Sequence, residues 1–160
     1  MKLPLAALLA LFISGCALPT KVGTKAVYGS ITDAQEGGAV RDAFVVVHYS
    51  SISVVSSHWY EQGTTFSDST GVFDVPAKPA ITVQSSYLLP GPSVIVVHPC
   101  YGYVATFGFG GELTMPMRLE FKRLAPGTEP SATIPRDECE RKPQQTCATL
   151  KSTLSSGCAK

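Results

Sequence analysis

The sequence predicts an all-β sandwich of seven to eight strands, followed by a short helical tail. Fourteen glycines and twelve prolines punctuate the 160 residues. The apolar stretches between them are short and rich in Val, Ile, Phe and Tyr, which suit a pleated, half-buried surface. Beyond the N-terminal leader no apolar run is long enough to span a bilayer, and Val94-Ile95-Val96-Val97 has the length of a core strand.

In chain order, strands are expected over 26–31, 43–50, 64–67, 71–75, 81–84, 93–98, 103–109 and 115–123. Segments 51–63 and 85–92 read as loops, the second marked by Pro90-Gly91-Pro92. Between 64–67 and 71–75 a tight hairpin is expected. Gly71 supplies the positive φ such a turn demands, and Asp68 caps it through its own side chain. Phe73 and Val75 then share one face of the outgoing strand. Segment 125–135, with three prolines, one glycine and no apolar periodicity, reads as a linker. Residues 136–160 form a separate tail with three cysteines and a helix expected over 144–156.

The first sixteen residues set the address. Met1-Lys2 is a short positive region, residues 3–13 are apolar, and Ile13-Ser14-Gly15-Cys16 ends the run. That order is an export signal rather than a span, which needs about 20 apolar residues. The last four residues resemble the lipobox of bacterial lipoproteins. The resemblance implies cleavage after residue 15 and lipidation of Cys16. It also implies two or three acyl chains, as stable anchoring requires when one chain binds only marginally. The mature chain would then begin with a tether over 16–25. Ala17, where Asp would hold the protein back in enteric-type bacteria, implies the outer membrane, facing the periplasm.

Removing 15 of the 160 residues leaves 145, enough for one domain with a real core. Lys2 is the one charge removed, so 12 basic and 12 acidic side chains remain. That balance gives no case for nucleic acid, and no polybasic run supports binding to anionic lipid.

Several pieces of the strand region recur at a familiar spacing. Tyr28-Gly29-Ser30-Ile31-Thr32-Asp33 precedes Gly38-Ala39-Val40-Arg41-Asp42-Ala43-Phe44-Val45. Ser67-Asp68-Ser69-Thr70-Gly71-Val72-Phe73-Asp74-Val75 follows, and later Val94-Ile95-Val96-Val97-His98-Pro99-Cys100-Tyr101. This resembles the carboxypeptidase regulatory-like domains, a transthyretin-like (prealbumin-like) β-sandwich group, over residues 26–124. The motifs are fold determinants, not chemistry. The family pattern implies that Ala43 points inward with Val45, Val47 and Tyr49, leaving Phe44, Val46 and His48 on the outer face. Two departures stand out: Cys100 replaces the glycine before the late Tyr, and segment 51–63 is enlarged, with His58-Trp59-Tyr60 inside it.

Besides Cys16 the cysteines are Cys100, Cys139, Cys147 and Cys158. An even number in an exported chain argues for two disulfides. Cys147, Leu150, Leu154 and Cys158 form one stripe of a helix, where Cys147 and Cys158 would lie about 16 Å apart. Disulfides need Cα atoms within roughly 7 Å, so those two do not pair. Cys139–Cys147 with Cys100–Cys158 is preferred, and Cys100–Cys147 with Cys139–Cys158 is the alternative. Four thiols without a Cys-x-x-Cys pair give no zinc signature.

No nucleophile elbow, His-Glu-x-x-His or phosphate loop is present, so neither a catalytic residue nor a cofactor is assigned. His48, His58 and His98 are expected on strands or, for His58, in the enlarged loop near Glu61. The two carboxylates of Asp68 and Asp74 fall short of the six to eight oxygens calcium takes. Phe44 and Val46 are either covered by Leu150 and Leu154 of the tail or open to a partner. Trp59 and Tyr60 are a second candidate contact. The leading reading is a non-enzymatic envelope lipoprotein that binds or positions another envelope component. A second is an assembly lipoprotein like the small transthyretin-like one of type VI secretion. A third is a metal-dependent hydrolase using His58 and Glu61, and a fourth a ligand carrier.

Overall fold

The computed structural model describes residues 20–52, 57–83, 91–107, 113–135, 144–156 and 158. Seven of the described strands lie in two sheets. The smaller has the order β5 (Val72–Val75), β2 (Val27–Asp33), β9 (Met117–Phe121). The larger is antiparallel, in the order β4 (Ser57–Phe66), β3 (Phe44–Ile52), β7 (Ser93–His98), β8 (Gly102–Phe107). β9 runs parallel to β2, with Gly29 opposite Met117. A Cβ on Gly29 would stand 2.3 Å from the Met117 carbonyl oxygen, so only glycine lets the two strands approach this closely.

The sheets meet through their apolar faces, an all-β, sandwich-like arrangement. Val27, Ile31, Phe73, Val75, Met117 and Phe121 of the smaller sheet pack with Val45, Val47, Val94 and Val96 of the larger. The period-two pattern of β2, with Val27, Gly29, Ile31 and Asp33 buried, aims one side of the strand into this core. The turn before β5 is built as its residues dictate, but it is not the expected hairpin: it carries the chain from β4 of the larger sheet to β5 of the smaller, and the two strands do not pair. Asp68 Oδ1 accepts from the Thr70 and Val72 amides at 2.8 and 2.9 Å and from the Thr70 hydroxyl at 2.7 Å. Gly71 takes φ 75°, and a Cβ there would lie 2.5 Å from the Ile31 carbonyl oxygen.

Three segments differ from expectation. Of the expected loop 51–63, residues 51–52 and 57–63 are strand: β3 runs to Ile52, and β4 pairs along it from Ile52↔Ser57 to Phe44↔Phe66. The register shifts at Val47/His48, leaving Gln62 as the extra residue of a bulge. The buried Gln62 amide donates to the carbonyls of Lys25 and Pro76 at 2.8 and 3.0 Å. Glu61, Gln62 and Gly63 break the alternation, which is why the strand is hidden in the sequence. Second, part of the expected tether is structured: β1 (Thr20–Val22) pairs antiparallel with β6 (Ile81–Val83) in a two-stranded ribbon. Third, the expected linker 125–135 contains a 3-10 turn at Pro130–Thr133. It straps β8, because Thr133 Oγ1 accepts from the Tyr103 amide at 2.9 Å and donates to the Pro130 carbonyl at 2.6 Å.

The tail helix α1 (Gln144–Ser155) lies on the outer face of the larger sheet. Leu150 and Leu154 join Phe44, Val46, Ile95 and Val97 in a second core, with Tyr103, Ala105 and Ile134 at its edge. Thr146 Oγ1 donates to the Glu61 carboxylate at 3.0 Å. No helix among the described residues is long and apolar enough to cross a membrane.

Candidate functional site

The sandwich has two unlike ends. At one, the chain enters through β1. At the other, β2 ends at Asp33, β7 turns into β8 through His98-Pro99-Cys100-Tyr101, and β9 runs out toward Arg123. This second end carries a cluster of polar side chains around Asp33, Tyr101 and Arg123, the candidate functional site.

Asp33 is buried, and both its oxygens are used. Oδ1 accepts from the Gln35 and Glu36 amides at 2.7 and 3.2 Å, and Oδ2 accepts from the Tyr101 hydroxyl at 2.6 Å. The hydrogen bond from Tyr101 holds the Asp33 carboxyl below its ordinary range, with the two backbone amides adding to the effect. Burial pushes the Tyr101 phenol up, and its bond to Asp33 pushes the same way. Arg123 stands 3.9 Å from Asp33 and 3.7 Å from Glu36, and its guanidinium lies 5.7 Å from the centre of the Tyr101 ring. His98 is half-buried, which lowers its pKa. Its Nδ1 accepts from the Cys100 amide at 3.0 Å, while the ring donates to the Arg41 carbonyl. That pair of bonds settles the neutral tautomer, with the proton on Nε2.

A groove of about 510 Å³ opens beside this cluster, between Arg41, Phe66, Tyr101, Arg123 and Thr153. Phe66 is exposed there, and Asp42 holds a left-handed backbone with φ 57°. The Cys100–Cys158 disulfide closes the same end, with Cα atoms 4.9 Å apart. Chemically the cluster is a fastener: the Tyr101 hydroxyl ties the β7–β8 turn to the Asp33 carboxylate at the end of β2, and His98 Nδ1 braces that turn from within through the Cys100 amide.

The expected site residues scatter. Cys16 and Cys139 lie outside the described residues. Cys100 pairs with Cys158, which excludes the alternative Cys100–Cys147, and Cys147 is itself disulfide-bonded. Phe44 and Val46 are 5% and 1% exposed beneath α1, the covered one of their two expected fates. Trp59 and Tyr60 sit half-buried in β4 rather than in a loop, and the Trp59 ring packs 4.5 Å from that of His48. His48 lies opposite Ser93 at the start of β7, while His98 ends that strand, so these histidines do not converge. His58 is in β4 opposite Ser51, and Glu61 accepts from Thr146. Among the described residues no group of three or more His, Cys, Asp or Glu side chains is placed to hold a metal ion.

The Asp33–Tyr101–Arg123 grouping was not foreseen from sequence. Asp33 and Tyr101 close the first and last of the recurring motif pieces, so their meeting had a sequence signal, whereas Arg123 had none. Comparison with protein-family models, with curated proteins and with solved structures returns no match.

Proposed function

We propose that this chain is an envelope lipoprotein, anchored through Cys16 in the outer membrane and facing the periplasm. Its transthyretin-like sandwich is a non-catalytic module that binds or positions another envelope component. The observation that carries the reading is the leader: an apolar run ending in Ile13-Ser14-Gly15-Cys16, with the first strand beginning at Thr20, four residues later. The transthyretin-like reading is supported by where its motif pieces fall. They occupy β2, the entry to β3, the Asp68–Gly71 turn between β4 and β5, and the β7–β8 turn, and Tyr101 of the last piece bonds Asp33 of the first. The non-catalytic reading is supported by a polar cluster whose groups spend their hydrogen bonds on one another.

The test is in-cell crosslinking of the native protein beside a Cys16→Ser variant, with the mass of the N-terminal peptide measured. The expected result is an acylated Cys16 and one envelope protein recovered with the wild type and diminished with the variant. An unmodified Cys16, or the same background recovered from both, overturns the reading.

A further inference from the structure

Lysines that are scattered in sequence gather where the chain enters the sandwich. Thr24 and Lys78 clamp the base of the β1–β6 ribbon: the Thr24 amide donates to the Lys78 carbonyl at 3.0 Å, and the Lys78 amide to Thr24 Oγ1 at 2.7 Å. This sets Lys78 opposite Thr24, the neighbour of Lys25, while Lys21 lies on β1 itself, paired with Thr82. All three lysines are exposed. The ribbon segments 20–25 and 78–83 contain these three lysines and no Asp or Glu. Lys78 Nζ also donates to the Glu61 backbone carbonyl at 3.1 Å, while the Glu61 carboxylate takes the Thr146 hydroxyl.

Tether length decides what this end faces. Four Cα steps separate Cys16 from Thr20, a span of at most about 14 Å. An acylated Cys16 sits at the headgroup layer, so the ribbon is held close to a Debye length, about 8–10 Å, of the lipid surface.

We infer that the β1–β6 ribbon is a membrane-contact surface, in which Lys21, Lys25 and Lys78 engage anionic lipid headgroups and orient the sandwich with its disulfide-bearing end away from the bilayer. The inference rests on the Cys16 anchor proposed above. It also revises what the linear sequence suggested, since no polybasic run exists and the patch is made by folding. Each basic side chain near an anionic surface raises partition roughly fivefold, so three together favour this orientation by on the order of a hundredfold.

The experiment reconstitutes the full mature lipoprotein in vesicles of phosphatidylethanolamine alone, or with about a third phosphatidylglycerol, and labels amines with a water-soluble ester. Mass spectrometry reads each lysine. On the anionic vesicles, labelling of Lys21, Lys25 and Lys78 is expected to fall severalfold and to return at high salt. Lys122 and Lys151, exposed on the run-out of β9 and on α1, should stay unchanged. Protein that floats with vesicles but labels all five lysines alike on both compositions overturns the contact surface and leaves the anchor standing. Protein that fails to float, with Cys16 unmodified, overturns both.

Discussion

The two faces of the β4-β3-β7-β8 sheet are equally apolar and very differently held. The inner face, with Val45, Val47, Val94 and Val96, is covered by a second sheet that contributes Phe73, Phe121, Ile31 and Met117. The outer face, with Phe44, Val46, Ile95 and Val97, is covered by two leucines of one helix. That helix has 12 residues, a length at which isolated helices are marginal in water. Its attachment is covalent: cross-linking residues 58 apart in sequence restricts the unfolded chain by about 4 kcal/mol on the chain-entropy account. One face is thus secured by packing, the other by a bond.

Substitutions that separate these two modes have graded effects. Phe121→Ala removes a fully buried ring from between the sheets and should cost about 3–5 kcal/mol, read as a lower midpoint in urea. A loss under 1 kcal/mol would mean that the inner face is not the main core. Cys158→Ser should cost about 2–4 kcal/mol, but locally. Protease should cut within 144–156 while amide protons of β3 and β7 stay protected. If wild type and variant digest alike, the helix does not depend on its bond and the contrast collapses. Gly71→Val forces a β-branched residue to φ 75° beside the Ile31 carbonyl, a cost of at least about 1–2 kcal/mol, whereas Thr70→Asn gives up the exposed hydroxyl bond to Asp68 and should cost less, about 0.5–1 kcal/mol. Equal thermal midpoints for the two variants would remove Gly71 from the account of the inner core.

The smallest effect is a pH slope. Burial lowers the folded-state pKa of His98, so the unfolded chain binds this proton more readily. Stability contributed by neutral His98 is therefore full above its ordinary value of about 6.5 and declines as the pH falls through it. Asp33 has the same sign in a more acidic window. Its carboxyl is lowered, so its contribution is present above about 3.9 and lost as the pH falls toward its folded-state pKa. Titrating urea midpoints of wild type and His98→Gln from pH 7.5 to 5 should show a shallower decline in the variant. Parallel curves would place the slope elsewhere.

Much of the inner face was legible because period two and turn chemistry agree there. Ser93–His98 was expected residue for residue, and Asp68 and Gly71 each do what their side chain, or lack of one, dictates. The helix was legible from the stripe of Cys147, Leu150 and Leu154, and the reach of a disulfide excluded Cys147–Cys158 while leaving Cys100–Cys158 as the preferred of two pairings. The end of β4 was expected as strand, but its first part was hidden because the bulge places Gln62 inward, where a polar side chain is tolerated only through carbonyls contributed by other segments. The Asp33–Tyr101–Arg123 grouping and the lysine ribbon were illegible for a shared reason. Their members are far apart in sequence, and only the pairing of β2 with β9 and of β1 with β6 brings them together.

The parallel pairing of β2 with β9 also has a schedule. Gly29 and Met117, partners in that ladder, are 88 residues apart. At roughly 5–20 residues per second of synthesis, β2 waits on the order of ten seconds before its second neighbour exists. Until then the smaller sheet consists of β2 and β5 alone, and an isolated pair of strands is only marginally stable in water. Among the described strands the one that completes this sheet, β9, is the last to be made.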